Sequence, residues 1–141
     1  MIMASCVLGM VYHISDRFDE FLKIELKKRE IPIPSKHFGL FMILANYNNK
    51  LEFKEVAEKW RKSKSTLCDI IARYVEVGLL EKEGCCLDKR HVYVKLTAEG
   101  LKYTEEMEEI SMTYLEKATK NLTKEQKESL KKILFTMTEN I

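Results

Sequence analysis

Apolar residues near the start of the chain recur at alternating steps of four and three: Val7, Val11, Ile14, Phe18, Phe21 and Leu22. That spacing is one face of a long helix, and Met3 and Met10 extend it. The stripe stops near Ile31-Pro32-Ile33-Pro34, where each proline disfavours helix in the residue before it. A second helix is predicted over 35–47, with Phe38, Phe41, Met42, Leu44 and Ala45 facing inward and an asparagine-rich exit turn at Asn46, Asn48, Asn49 and Lys50. Leu51-Glu52-Phe53 reads as a very short strand. A third helix follows over 54–60, presenting Val56, Ala57 and Trp60 to the core. The fourth spans 63–77, with Leu67, Ile70, Ile71 and Tyr74 as its buried face and Gly78 as its stop.

The period then changes. Residues 79–83 and 92–96 read as paired strands, the second alternating Val92, Val94 and Leu96 with Tyr93 and Lys95. Residues 84–91 form the connecting tip. Thr97 is placed to cap a fifth helix carrying Leu101, Met107, Ile110, Tyr114 and Leu115. Asn121-Leu122 interrupts that helix, and Thr123 with Gln126 makes a capping box for a sixth, whose apolar positions are Leu130, Ile133, Leu134 and Met137. The expected fold class is therefore mainly α with a small β-hairpin wing (α+β): a winged helix-turn-helix lobe flanked by N- and C-terminal helices. Such a lobe usually binds DNA.

At 141 residues this is a single domain, 1–141, with or without oligomerisation arms. A long terminal helix with an apolar stripe needs something to cover it, and in a small protein a second copy suits. The net charge of +2 does not announce nucleic acid, but its distribution does. Between positions 59 and 73 stand Lys59, Arg61, Lys62, Lys64 and Arg73 against Asp69 alone; between 101 and 116, Lys102 stands against Glu105, Glu106, Glu108, Glu109 and Glu116. This implies a DNA-facing side and an acidic far side.

No apolar run is long enough to span a bilayer. Met3-Ala4-Ser5-Cys6 faintly echoes a lipoprotein cleavage box, but nothing before it resembles a signal, so a cytoplasmic location with reduced thiols is expected. Cys6, Cys68, Cys85 and Cys86 form no paired C-x-x-C, which argues against a zinc framework. No nucleophile-base pair, phosphate loop or metal-ligand spacing suggests catalysis, so neither an enzyme nor a cofactor is expected.

The wing carries the pattern D-x-R, five residues, L-T-x-x-G, as Asp88, Arg90, Leu96, Thr97 and Gly100. With Ser63-Lys64-Ser65-Thr66-Leu67 and Val77-Gly78-Leu79-Leu80 upstream, the chain resembles the MarR family of bacterial transcription regulators over nearly its whole length. One departure is Arg61-Lys62, where the family often has a glycine followed by an apolar residue. The resemblance implies a homodimer built from helices in 1–33 and 98–141, with a DNA-binding lobe over 35–97 that reads a pseudo-palindromic operator, more often to repress than to activate.

The opposite face of the recognition helix is Ser65, Thr66, Asp69 and Arg73, with Lys62, Ser63 and Lys64 at its start. Early residues of such a helix reach base edges. Lys62 and Lys64 suit phosphates, while Asp69 suits a cytosine amino group or serves to orient Arg73 or Lys62. In the wing, Arg90 suits a narrow A·T-rich minor groove, Asp88 could hold it by a charge-assisted hydrogen bond, and Lys89 and His91 sit beside it. An alternative is a winged-helix protein-interaction module without DNA binding.

The resemblance raises further readings, each beside a simpler one. Cys6 is a peroxide sensor or a small packing residue. Cys85-Cys86 is a redox or soft-metal pair or ordinary loop, and Cys68 is inert helix packing. Tyr12, His13, Phe38, Phe41, Tyr103 and Met107 line a pocket for a small aromatic effector, or the apolar ones are simply core. His13 and His37 meet at a zinc site, or are satisfied or exposed separately.

Overall fold

The computed structural model describes residues 4–84 and 91–141. Asp88, Lys89, Arg90 and the Cys85-Cys86 pair therefore lie outside the described residues, as does Met3.

Among the described residues six α-helices and three strands follow in the order α1 (Ala4–Lys28), α2 (Phe38–Asn46), β1 (Lys50–Glu52), α3 (Phe53–Trp60), α4 (Lys64–Glu76), β2 (Leu80–Gly84), β3 (Val92–Leu96), α5 (Ala98–Ala118) and α6 (Lys124–Glu139). The strands form one antiparallel sheet in the order β1-β3-β2. β3 is central, and it pairs Val94 with Leu51 on one side and Leu96 with Leu80 on the other. All four of these side chains are buried.

The core lies between that sheet, α2, α3 and α4, and it extends along α1 and α5 through Leu22, Leu26, Met107 and Ile110. The Ile-Pro-Ile-Pro segment is non-helical and bends at Pro32 and Ile33, with both isoleucines buried and both prolines exposed. The helix expected over 35–47 is divided: Ser35–His37 is a 3₁₀ turn, and α2 begins at Phe38. Leu40, Phe41 and Leu44 are the buried residues of α2, whereas Phe38, Met42 and Ala45 are half-buried. The reading of Cys68 as helix packing is incorrect, because its side chain is exposed on α4.

The α4–β2 turn and the start of α5 are joined closely. Gly78 adopts φ +82°, a left-handed conformation that glycine enters without a Cβ penalty. The Thr97 hydroxyl donates to the Gly78 carbonyl at 2.7 Å and accepts from the Gly100 N–H at 3.0 Å, so one side chain caps α5 and ties it to the turn. A Cβ on Gly100 would stand 2.1 Å from the Leu79 carbonyl oxygen, inside contact distance of backbone that cannot swing away. This explains physically the spacing of threonine and glycine in the wing pattern.

The apolar positions of α6 are not covered. None of its residues is buried, and Leu130, Ile133, Leu134, Phe135 and Met137 are all exposed. Val7, Leu8, Met10, Val11 and Ile14 on the first half of α1 are exposed as well, and so are Leu115 on α5 and Cys6 on α1. No helix among the described residues is long and apolar enough to cross a membrane.

Gly100→Ala should destabilise the fold by about 1–3 kcal/mol, the usual range for forcing atoms into packed structure. The check is the midpoint of thermal or urea unfolding, and an unchanged midpoint would contradict the close approach described here.

Candidate nucleic-acid interface

α4 has the spacing of a half-buried helix and behaves as one. Leu67, Ile70, Ile71 and Tyr74 are buried, and Lys64, Ser65, Thr66, Cys68, Asp69 and Arg73 are exposed. Ser63 is the N-cap: its Oγ accepts from the Thr66 N–H at 3.2 Å and donates to Thr66 Oγ1 at 2.9 Å. Two of the three hydroxyls expected to meet DNA, those of Ser63 and Thr66, are thus engaged with each other, and Ser63 has the structural task of starting the helix.

The turn before α4 is shaped by Arg61, which ends α3 in the left-handed region at φ 55°. A glycine would sit there without strain, which is the physical meaning of the departure at Arg61-Lys62. Arg61 instead adds an exposed cation, whose guanidinium donates to the Ile141 carbonyl at 3.4 Å. Lys62 lies over the Trp60 ring at 5.1 Å, and Lys59 over the Tyr47 ring at 4.7 Å. Hydrogen bonding to Tyr47 raises the Lys59 pKa above its ordinary value. Lys59, Arg61, Lys62, Lys64 and Arg73 are all exposed; the first four form a charged surface at the start of α4, and Arg73 adds a cation in its last turn.

At the base of the wing the strands are tied by charge. Lys50 on β1 pairs with Glu83 on β2 at 3.0 Å and lies over the Tyr93 ring of β3 at 4.8 Å. The Lys50 hydrogen bond holds the Glu83 carboxyl below its ordinary pKa. His91 Nδ1 lies 2.8 Å from Glu52 Oε1. These links join the three strands to one another.

Beneath α4 is an interaction that the sequence did not signal. His37 Nδ1 is 2.6 Å from the Tyr74 hydroxyl in the buried interior, and His37 also meets Trp60 edge-on. Burial pushes the Tyr74 phenol up to about 12. Burial first, then the charges of Lys36, Arg73 and Lys62, push His37 below its ordinary value. The pair ties the Ser35–His37 turn to the recognition helix.

The other expected clusters are only partly assembled. Phe41 and Met107 have 0% exposure, so they are core rather than pocket lining. Phe38 and Tyr103 pack half-buried against that core, and Tyr12 is exposed. A groove of about 510 Å³ lies instead between α1 and α5, lined by His13, Ile14, Arg17, Phe21 and Tyr114 among others. Only His13 is common to the two sets. His37 is committed to Tyr74, and no group of three potential metal ligands occurs among the described residues.

Comparison with known proteins agrees with this geometry. No family model matches the chain. The chain is 26% identical over 128 residues to the HTH-type transcriptional repressor IacR of Pseudomonas putida, covering 91% of this chain and 75% of that one. Among solved structures it is similar to Sco3205, a MarR family transcriptional regulator from Streptomyces coelicolor in complex with DNA, at TM-score 0.76 and 25% identity, covering 99% of this chain and 89% of that one. A MarR transcriptional regulator from Methanosarcina mazei Go1 matches in fold at TM-score 0.81 and 18% identity, covering 99% and 92%. These similar proteins are regulators of transcription, not enzymes.

The buried histidine gives a pH dependence with a definite sign. Above the ordinary value of 6.5 the ring is neutral in both folded and unfolded chains, and the folded state bears no penalty. As pH falls below that value the unfolded chain takes up a proton that the folded one resists, so stability declines. The urea midpoint should therefore fall more steeply on acidification for the wild type than for His37→Asn. Parallel curves would show that His37 is not held neutral.

Proposed function

We propose that this chain, a MarR-family winged-helix transcription regulator, acts as a homodimeric repressor that places α4 of each protomer in a major groove of a pseudo-palindromic operator. The observation that carries this reading is the exposed basic surface at the start of α4, set on a helix whose other face is fully committed to the core. Lys62, Lys64 and Arg73 neutralise phosphates, and Ser65, Thr66 and Asp69 face base edges. The wing, held at its base by Lys50, Glu52, Glu83 and His91, carries Asp88, Lys89 and Arg90 toward the flanking minor groove.

The dimer is supported by the uncovered apolar faces. Ile133 is 58% and Phe135 64% exposed in one chain, on a helix with no buried residue. Exposed apolar area of this kind marks an association surface, and a second copy covers α6 and the first half of α1 with the same residues. A small aromatic ligand in the groove between α1 and α5, whose walls include Phe21 and Tyr114 beside Arg17, relieves binding by shifting the distance between the two reading heads.

Titration of the DNA upstream of this protein's own coding region, against a random duplex at two salt concentrations, tests the reading. Preferential, salt-dependent binding is expected. Lys64→Ala should lower the salt slope by about one, and Arg90→Ala should flatten preference for A·T-rich flanks. If neither change alters binding, this docking is wrong. For the dimer, Ile133→Asp combined with Leu134→Asp should yield monomers by light scattering, with operator affinity lost in parallel.

A further inference from the structure

A cleft of about 340 Å³ opens between the Ser35–His37 turn and α4. Its wall includes Lys36 from the turn, Lys62 from the α3–α4 connection, and Asp69 and Arg73 from α4, with Trp60 and His37 also lining it. Three permanent cations thus face one carboxylate in a concave site. Lys36, Lys62 and Arg73 are exposed, whereas His37 is 7% exposed. The sequence drew attention to Lys62, Asp69 and Arg73 but not to Lys36, which is brought to them only by the fold.

Resting on the DNA-binding reading above, we propose that this cleft seats one phosphodiester group of bound DNA, and that His37 in its wall takes up a proton as the seat fills. The Tyr74 phenol keeps its own hydrogen, and in the tautomer that carries the ring hydrogen on Nε2 the phenol donates to Nδ1. Burial first, and then Lys36, Arg73 and Lys62, oppose a positive charge on that ring. A phosphate held among those cations brings negative charge to the same cleft and offsets the part of the opposition that the three cations supply. A proton from solvent then binds Nδ1, the resulting Nδ1–H donates to the Tyr74 oxygen, and the phenol hydrogen rotates away. Asp69 is the one acidic group lining the cleft, and it favours the same protonation. Because binding and protonation are linked, acid strengthens DNA binding while it weakens the fold of the free protein.

The test uses the full-length protein with a mixed-sequence duplex at constant low salt, from about pH 8 to about pH 5.5, the range in which histidine titrates. Wild-type affinity should rise toward acid, by up to about tenfold per pH unit for one proton. His37→Asn should show a flatter profile, and Lys36→Gln should bind more weakly with a smaller salt slope. On the unmodified protein, the ring resonance of His37 followed by NMR should show its titration midpoint moving upward when DNA is added. Equal pH slopes in wild type and His37→Asn, with an unmoved midpoint, would overturn the seat and leave DNA binding standing. Absence of binding at every pH would overturn both. Inorganic phosphate moving the midpoint as far as DNA does would overturn the assignment to the DNA backbone. Should His37→Asn fail to fold, the wild-type resonance decides alone.

Discussion

The close approach of α5 to the α4–β2 turn is the constraint on which the rest of the molecule depends. Thr97 bonds forward to Gly100 and backward to Gly78, and the missing side chain of Gly100 admits the Leu79 carbonyl. The turn that follows α4 and the start of α5 are thereby held by the Thr97 hydroxyl on the Gly78 carbonyl, the Thr97 N–H on the Leu79 carbonyl at 3.2 Å, and the close approach at Gly100. α5 then runs for 21 residues away from the reading head. Any tilt of that helix must be accompanied by movement of α4 or by breaking this junction. The coupling is mechanical and local, and it does not need a chain of side chains across the core.

Charge is arranged around the same axis. The cations collect at the α3–α4 turn and the start of α4, while the acids lie along α5, where Arg29 pairs with Glu109 at 3.0 Å. Over the Debye length of about 8 Å at physiological salt, each surface is seen by a polyanion largely on its own. One end of the molecule is favourable to a polyanion and the other is not. The basic end is also structured within itself, because Lys62 rests on Trp60 and Lys59 on Tyr47. Lysines held on aromatic faces lose less freedom on meeting phosphate than free ones do.

Much of this was legible in the chain. The buried face of α4 was readable because its four apolar residues recur at helical spacing amid polar ones, and the caps at Thr97 and Thr123 were readable because hydroxyl and partner stand three residues apart. α2 resolved poorly: Phe38 to Ala45 is apolar nearly all round, so the pattern could not single out Leu40. Cys68 was misplaced because it follows Leu67, although one residue along a helix is a rotation of about 100°. The His37–Tyr74 bond joins residues 37 positions apart, and no local periodicity reports such a pairing. The aromatic pocket stayed open beside core packing for a related reason: composition marks Phe41 and Met107 as apolar but does not say whether they face a void or a neighbour. For α1 and α6 the pattern marked apolar faces, and these are exposed within one chain; a pattern cannot say whether covering residues belong to the same chain.

The capping box at the start of α6 bears on how quickly a partner is found. Thr123 and Gln126 satisfy each other's backbone donors reciprocally, so the helix carries its own start signal and does not borrow one from the core. A helix of 16 residues is only marginal alone in water, and a cap of this kind shifts the balance by about 1 kcal/mol. In the dimer proposed above, an incoming chain would therefore meet a surface already in shape, and less ordering would remain to be done after encounter. Assembly would then approach the rate at which two rigid bodies find their orientation, rather than the slower rate at which a tail folds onto its template.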